Sequence, residues 1–257
     1  MTGPLLSVQN VESYYGPVMA LRGVSIEVNQ NEVVAVLGAN GAGKTTLLKT
    51  VSGILSAHKG EVSLGGKPVT RFEPDAIVRE GVAHVPQGRE VFPLLSVIDN
   101  LTLGAYTRSD RSALSGDLEQ VFTYFPVLVE RQKQLAGTLS GGQQQMLAIA
   151  RGLMMRPSIM LLDEPSLGLS PKLTAEIYQI VARLNADRGV AIMVVEQNAQ
   201  YALDIANRGY VLELGRVVFD GNREELINTP DIQEFLLGAK QEGSAAVGRW
   251  KRKKTWR

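Results

Sequence analysis

The chain alternates short apolar segments with longer amphipathic ones, the pattern of a sheet covered by helices. The continuous apolar run at Val33–Leu37 predicts a strand buried on both faces, and residues 159–162 and 190–195 have the same character. Residues 171–186 lie between the last two runs and form an amphipathic stretch, with Ser170 as a plausible N-cap and a proline at the first helical position. Strand, helix and strand in this order predict a right-handed parallel crossover.

The amino-terminal part has the pattern of antiparallel strands. Apolar and polar side chains alternate over residues 5–9 and 24–28, which predicts two half-exposed strands. A pair of glycines at the centre of residues 61–69 predicts a hairpin. We therefore expect an antiparallel unit beside a parallel core.

The remaining segments predict a helical insert and a small carboxyl-terminal unit. Leucines and methionines recur at spacings of three and four over residues 92–155, which is typical of helices. A central glycine in residues 210–219 predicts another hairpin, and residues 224–227 and 232–237 have the pattern of short helices.

Length and composition favour a single domain. The 257 residues are 44% hydrophobic and 21% charged, as in globular proteins, and we expect one domain over residues 1–240. The absence of cysteine excludes disulfides and thiolate chemistry, and two histidines argue against a His-rich metal site or a Ser-His-Asp hydrolase. No apolar run approaches the ~20 residues of a membrane span, and the first residues lack a signal-peptide pattern. We expect a cytoplasmic protein.

The charge is concentrated at the carboxyl-terminal end. The net charge is +1, but six of the residues 249–257 are basic, so that residues 1–248 carry 21 basic against 26 acidic side chains. The body is therefore not a basic nucleic-acid-binding domain. Residues 241–257 are expected to form a flexible basic tail. Trp250 and Trp256 lie among its cations and could help to hold it at an anionic membrane, although a solvated tail is the alternative.

A glycine-rich loop joins the strand Val33–Leu37 to a predicted helix at residues 44–51. Its sequence, Gly38-Ala39-Asn40-Gly41-Ala42-Gly43-Lys44-Thr45, matches Gly-x-x-x-x-Gly-Lys-Thr in the strand-to-helix context that gives this motif its meaning. Backbone N–H groups of such a loop surround a phosphate chain, and Lys44 adds positive charge. A glycine turn with an exposed lysine is the alternative. The predicted phosphate-binding residues are Gly38, Asn40, Gly41, Ala42, Gly43, Lys44, Thr45 and Thr46.

Two acidic residues follow the apolar run at residues 159–162. Asp163 is predicted to hold Mg²⁺ together with Thr45. Glu164 is predicted to orient and polarise the water that attacks the γ-phosphate. A solvated acidic loop is the alternative interpretation.

A second motif, Leu139-Ser140-Gly141-Gly142-Gln143, lies between these segments. With the phosphate loop it resembles the ABC-type ATPases, whose signature is Leu-Ser-Gly-Gly-Gln. The resemblance implies an α/β P-loop NTPase core with an antiparallel β subdomain and a helical subdomain. We expect Ser140, Gly141 and Gly142 to open a helix over residues 143–155 whose N-terminus binds an anion. One chain cannot aim this helix and Lys44 at the same phosphate, so the resemblance implies a head-to-tail dimer with two ATP molecules between opposing motifs.

Other positions resemble the family one by one. Tyr15 resembles the aromatic residue that stacks on adenine, with Tyr14 as the alternative. Gln87 resembles the glutamine that contacts Mg²⁺ or water and links the core to the helical insert, and residues 166–170 resemble a loop that crosses the dimer interface. Gln197 stands where the family usually has a histidine that contacts the γ-phosphate, so we expect a weaker contact there.

Finer details resemble one branch of the family. Residues 163–169, 195–199 and 208–213 resemble LivF-type subunits of branched-chain amino-acid importers, in which Glu-Gln-Asn replaces the histidine loop, and residues 86–93 are also similar to subunits of urea and amide importers. The resemblance implies a peripheral ATPase at the cytoplasmic face of the inner membrane. Its implied partners are a second ATPase subunit in a heterodimer, or a second copy of this chain in a homodimer, two membrane permease subunits and, indirectly, a periplasmic solute-binding protein.

Two other classes of protein compete with a transporter subunit. A soluble ABC-type ATPase acting on DNA or ribosomes is disfavoured, because the 52 positions from Gln87 to Leu139 hold no long heptad insertion and the chain has no second cassette. We therefore expect no nucleic-acid partner. A P-loop GTPase or kinase would leave residues 139–145 unexplained, and the chain has no Asn-Lys-x-Asp motif.

Overall fold

A computed structural model describes residues 3–229 of the chain, and its centre is a mostly parallel sheet. The strands of this sheet are β3 (Val33–Leu37), β6 (Val82–Val85), β7 (Ile159–Asp163), β8 (Ala191–Glu196), β9 (Arg208–Glu213) and β10 (Arg216–Asn222). Their spatial order is β10-β9-β3-β8-β7-β6, and every neighbouring pair is parallel except β9 and β10. The predicted parallel pairing of the segments at 159–162 and 190–195 is confirmed, because β7 and β8 are adjacent.

A second, antiparallel sheet packs beside the first. It contains β1 (Leu6–Tyr15), β2 (Val18–Val28), β4 (Lys59–Leu64) and β5 (Lys67–Pro68) in the order β2-β1-β4-β5. The antiparallel prediction is confirmed, but the first two strands are longer than residues 5–9 and 24–28. Register shifts between Val8 and Val11 and again near Tyr14 interrupt the alternation of buried and exposed side chains. The alternating sequence pattern therefore predicts only part of each strand.

The helices cover the central sheet and build the insert. They are α1 (Lys44–Val51), α2 (Pro74–Arg79), α3 (Val97–Gly104), α4 (Leu114–Tyr124), α5 (Pro126–Val129), α6 (Gly141–Leu153), α7 (Pro171–Arg188), α8 (Ala199–Ile205) and α9 (Arg223–Asn228). The predicted bounds of α1 are confirmed, and Ser170 caps α7 by accepting a hydrogen bond from the N–H of Leu173. Four helices, α3 to α6, lie within the segment predicted to be helical.

Two apolar cores lie on opposite faces of the central sheet. In β3, Val33, Ala35 and Leu37 pack into the core that contains α6 and α7. Val34 and Val36 pack into the other core, between this sheet, α1 and the antiparallel sheet. Burial on both faces is the reason for the continuous apolar run in the sequence. The α/β fold with an antiparallel and a helical subdomain is confirmed.

The carboxyl ends of parallel strands meet at one edge of a sheet. Because β3, β7 and β8 are parallel neighbours, the loops that follow them lie side by side. Lys44 begins the helix that follows the first of these loops, and Glu164 and Gln197 lie in the other two. The fold therefore assembles three separated segments of the sequence at one place.

Within residues 3–229, no helix is long and apolar enough to cross a bilayer. The helix predicted at residues 232–237 and the basic tail at residues 241–257 lie outside the described residues.

Candidate active site

The loop between β3 and α1 is shaped by its glycines. Gly43 precedes the helix with φ of +107°, in the left-handed region that glycine adopts without strain. A Cβ on Gly38 would lie 2.6 Å from the carbonyl oxygen of Leu212, which is closer than any side chain tolerates. Glycine at these two positions lets the loop close over the start of α1, where free backbone N–H groups attract anions.

Lys44 is buried and held at three points. Its Nζ donates hydrogen bonds to the carbonyl oxygens of Gly38, at 2.9 Å, and Ala39, at 3.2 Å. It also forms a salt bridge of 3.0 Å with Oε1 of Glu164, and the two side chains are only 4% and 9% exposed. An ion pair this deeply buried is screened little by salt. The cation of the phosphate loop and the predicted general base are thus direct partners.

Asp163 and Thr45 form the pair predicted for a metal ion. Thr45 Oγ1 donates to Asp163 Oδ1 at 3.1 Å, while Asp163 Oδ2 is buried without a hydrogen-bond partner. Burial raises the pKa of Asp163 to about 6, with the hydrogen bond from Thr45 acting in the opposite direction. An unpartnered carboxylate oxygen beside a hydroxyl is a donor set that suits Mg²⁺ and its water shell.

Glu164 connects the phosphate loop to Gln87. Its backbone has φ of +44°, which is unusual for a residue other than glycine, and its N–H donates to the carbonyl oxygen of Val195 at 3.0 Å. Gln87 Nε2 donates to Glu164 Oε2 at 3.0 Å. The carboxylate therefore has one oxygen on Lys44 and the other on Gln87.

A cavity of about 480 Å³ opens above these side chains. Of the predicted site residues, it is lined by Asn40, Gly41, Gly43, Lys44, Thr45, Thr46, Gln87, Glu164 and Gln197. Leu167, from the loop of residues 166–170, also lines it, as does Ala20, which no sequence pattern indicates. The structure thus brings the phosphate loop together with Gln87, Glu164 and Gln197.

Several predicted site residues do not line this cavity. Gly38 and Ala42, in the loop before α1, and Asp163, at the end of β7, are not among the residues that line it. Tyr15 ends β1 with its side chain 47% exposed. Ser140, Gly141 and Gly142 are likewise absent from the lining.

The start of α6 differs from the prediction. The helix spans Gly141–Leu153, two residues earlier at each end than the predicted 143–155. Ser140 accepts a hydrogen bond from the N–H of Gln143, and the Gln143 side chain accepts one from the N–H of Ser140. This reciprocal capping box holds two glycines in helical conformation, which their low propensity alone would not predict.

The family model for ABC transporters matches residues 21–167, more than half of the chain. The chain belongs to the ABC transporter ATPase family. This ATPase is 44% identical to the high-affinity branched-chain amino acid transport ATP-binding protein BraG of Pseudomonas aeruginosa, over 91% of the chain and 100% of BraG. It is 36% identical to the probable branched-chain amino acid transport ATP-binding protein LivF of Archaeoglobus fulgidus, over 91% of the chain and 99% of LivF.

Solved structures agree with the fold of the ATPase. The crystal structure of the ADP conformation of an ATP-binding cassette from an ABC transporter superimposes with a TM-score of 0.79 at 29% identity, covering 93% of the chain and all of the cassette. The dimeric structure of a bacterial ABC transporter cassette gives a TM-score of 0.76 at 26% identity, covering 85% of the chain and 98% of that cassette. The chain is therefore an ATP-binding, ATP-hydrolysing transporter subunit.

Proposed function

We propose that this ATPase powers the import of branched-chain amino acids. The proposal is supported by BraG and LivF, which match nearly the whole chain and whose names specify that transport. The glutamate/aspartate import ATP-binding protein GltL of Escherichia coli is 36% identical over 88% of the chain, so acidic amino acids are a second candidate. Urea and amides, suggested by residues 86–93, are a third.

The observation that carries the proposed chemistry is the Lys44–Glu164–Gln87 cluster on one cavity. The loop N–H groups and Lys44 bind the triphosphate of ATP. Thr45, Asp163 and Gln87 would hold Mg²⁺, which would supply charge neutralisation at the phosphates. Glu164 accepts the proton of the attacking water once Lys44 has turned to the phosphates.

Gln197 and Tyr15 complete the nucleotide contacts in this proposal. Gln197 lines the same cavity and donates a neutral hydrogen bond towards the γ-phosphate, where a histidine would carry charge. Tyr15 lies at the end of β1 and is about half exposed, so its ring offers a face on which adenine stacks.

Ser140, Gly141 and Gly142 act in this proposal on the nucleotide of a partner subunit. They cap an anion-binding helix start but lie outside the cavity of their own chain. The fold likeness to a dimeric cassette supports a sandwich of two subunits. We propose a heterodimer with a related ATPase, with the homodimer as the alternative. Measuring the molecular mass of the ATP-bound Glu164→Gln variant, alone and with the second ATPase, distinguishes the two assemblies. A dimer that forms only in the mixture supports the heterodimer, and a dimer of the variant alone supports the homodimer.

A groove between the core and the helical insert is proposed to receive the membrane subunits. It encloses about 250 Å³ and exposes Ile54, Phe92 and Leu103, which are 56%, 50% and 40% exposed. His84 Nε2 and Arg151 Nη1 line it and are buried without partners. Apolar side chains around an unpartnered guanidinium donor of Arg151 suit a segment of a permease that supplies apolar contacts and an oxygen acceptor. Two permeases at the cytoplasmic face of the inner membrane would engage the two subunits.

Uptake measurements test the transported solute. In a deletion strain that lacks this chain, expression of the natural sequence is expected to restore uptake of labelled leucine. Expression of the Lys44→Ala variant is not expected to restore it. Labelled glutamate and urea, assayed in parallel, test the other candidates. Restoration of glutamate or urea uptake with no change in leucine uptake would contradict the proposed substrate class.

A further inference from the structure

Glu196 is a buried acidic residue that the proposed chemistry does not use. It ends β8 immediately before Gln197, and it is 2% exposed. Its Oε1 accepts two hydrogen bonds, from the N–H of Ser166 at 3.1 Å and from the hydroxyl of Tyr178 at 2.8 Å. The carboxylate thus joins the loop that follows Glu164 to the helix α7.

The backbone at the end of β8 makes two further connections. The N–H of Gly38, at the start of the phosphate loop, donates to the carbonyl oxygen of Glu196 at 3.3 Å. The N–H of Glu164 donates to the carbonyl oxygen of Val195 at 3.0 Å. The strand end that carries Gln197 is therefore bonded to both of the other loops of the site.

Tyr178 extends the connection behind Gln197. Its ring stacks on Tyr201, with centroids 5.9 Å apart, and Tyr201 belongs to α8, which starts two residues after Gln197. Glu196 is consequently fixed directly by the Ser166 loop and, through the stacked Tyr178 and Tyr201 rings, by the helix that follows Gln197.

An acidic side chain is costly at this position. Burial raises the pKa of Glu196, the charge of Glu164 acts in the same direction, and the bonds from Ser166 and Tyr178 oppose them. The preceding strand residues Val194 and Val195 are apolar and equally buried, so packing alone does not need a carboxylate here. Its two hydrogen bonds are what distinguish it from an apolar side chain.

We propose that Glu196 is a positioning residue for ATP hydrolysis, which fixes the Ser166 loop, and with it Glu164, relative to Gln197. The inference rests on the proposed function of Glu164 and Gln197. Glu196 itself need not contact nucleotide, because it acts through the Ser166 loop and through Gln197, its neighbour in the chain.

Glu196→Leu is the variant that removes the acceptor. It is expected to lower kcat by about tenfold with little change in the KM for ATP, because hydrogen bonds to charged groups contribute that much and the phosphate loop is intact. Glu196→Gln keeps an acceptor oxygen at Oε1 and is expected to retain at least about a third of kcat. Val194→Ala is the matched control: it destabilises the same strand without touching either loop.

A second set of measurements separates positioning from loss of stability. In the Glu196→Leu background, adding Gln197→Ala is expected to change kcat by less than about twofold. Gln197 is then no longer held in place relative to Glu164, so its removal has little further effect. Hydrogen exchange of the nucleotide-free full chain is expected to accelerate at the N–H of Ser166 in Glu196→Leu but not in Val194→Ala.

Two outcomes would overturn the positioning role: equal kcat loss in Glu196→Leu and Val194→Ala at matched thermal stability, or unchanged exchange at Ser166. Failure of the natural chain to hydrolyse ATP would instead contradict the proposed function, while the exchange measurement would still test the contact.

Discussion

Glu164→Gln tests the site at the point where its two main groups meet. The carboxylate accepts contacts from Lys44 and Gln87, each at 3.0 Å, through different oxygens. A glutamine amide has one acceptor oxygen and therefore satisfies only one of these donors. Loss of the general base is expected to slow hydrolysis by about 10²- to 10⁴-fold.

The same variant is expected to bind ATP more tightly. Lys44 must leave its salt bridge with Glu164 before it reaches a phosphate. Hydrogen bonds to charged groups contribute about 1.5–3 kcal/mol and neutral ones less. Replacing the carboxylate by an amide therefore lowers the free-energy cost of moving Lys44 to the phosphates by roughly 1 kcal/mol. This corresponds to about fivefold higher affinity.

Two assays follow the two effects separately. Phosphate release gives kcat, and calorimetric titration with a non-hydrolysable ATP analogue gives the dissociation constant. Glu213→Gln, which changes an exposed carboxylate at the end of β9, serves as the control. Hydrolysis by Glu164→Gln within about threefold of the natural rate would refute the general base, given the 10²-fold minimum expected. Weaker nucleotide binding would refute the role of the Lys44 ion pair.

Three further predictions follow from single side chains. Gln197→Ala is expected to lower kcat about fivefold, and Gln197→His to leave it equal or higher, because the neutral hydrogen bond to phosphate is weak; a loss as complete as in Glu164→Gln would contradict this. Burial and the charge of Lys49 lower the pKa of His84 from 6.5 to about 4, so the unfolded state binds more protons in that range. The free energy of unfolding should therefore fall, by at most roughly 3 kcal/mol, as pH drops from 6.5 to 4, and urea melts of His84→Gln should lack this part. Ile54→Asp is expected to abolish co-purification with the membrane subunits, whereas Val129→Asp, an exposed apolar residue outside the groove, is not; equal capture would place the docking surface elsewhere.

The sequence predicts those elements that local physics determines. The bounds of α1 follow from the glycine loop before it, and β3 follows from an apolar run that two cores require. The sequence pattern predicts the start of α6 two residues too late, because the mutual capping of Ser140 and Gln143 outweighs the low helix propensity of the glycines. The pattern predicts a β1 that is too short, because the register shifts of this strand break the period of two.

The candidate site is predictable in its parts but not in its connections. The order of the motifs places Thr45 beside Asp163, and the structure has them 3.1 Å apart; their role with Mg²⁺ stays a prediction. The salt bridge between Lys44 and Glu164 joins residues far apart in the chain, so no local pattern encodes it. The sequence marks Glu196 only as an acidic residue at the end of an apolar strand. Its hydrogen-bond partners belong to other elements, so no local pattern indicates them.

The most direct measurement compares phosphate release and ATP binding by the natural chain and by Lys44→Ala. With Mg²⁺ and ATP, the natural chain is expected to bind nucleotide and release phosphate, and Lys44→Ala is expected to lose nucleotide binding and, with it, hydrolysis, since the variant lacks the buried cation of the phosphate loop. Equal hydrolysis by the two proteins, or no binding of ATP to the natural chain, would contradict an ATP-driven subunit that works at this site.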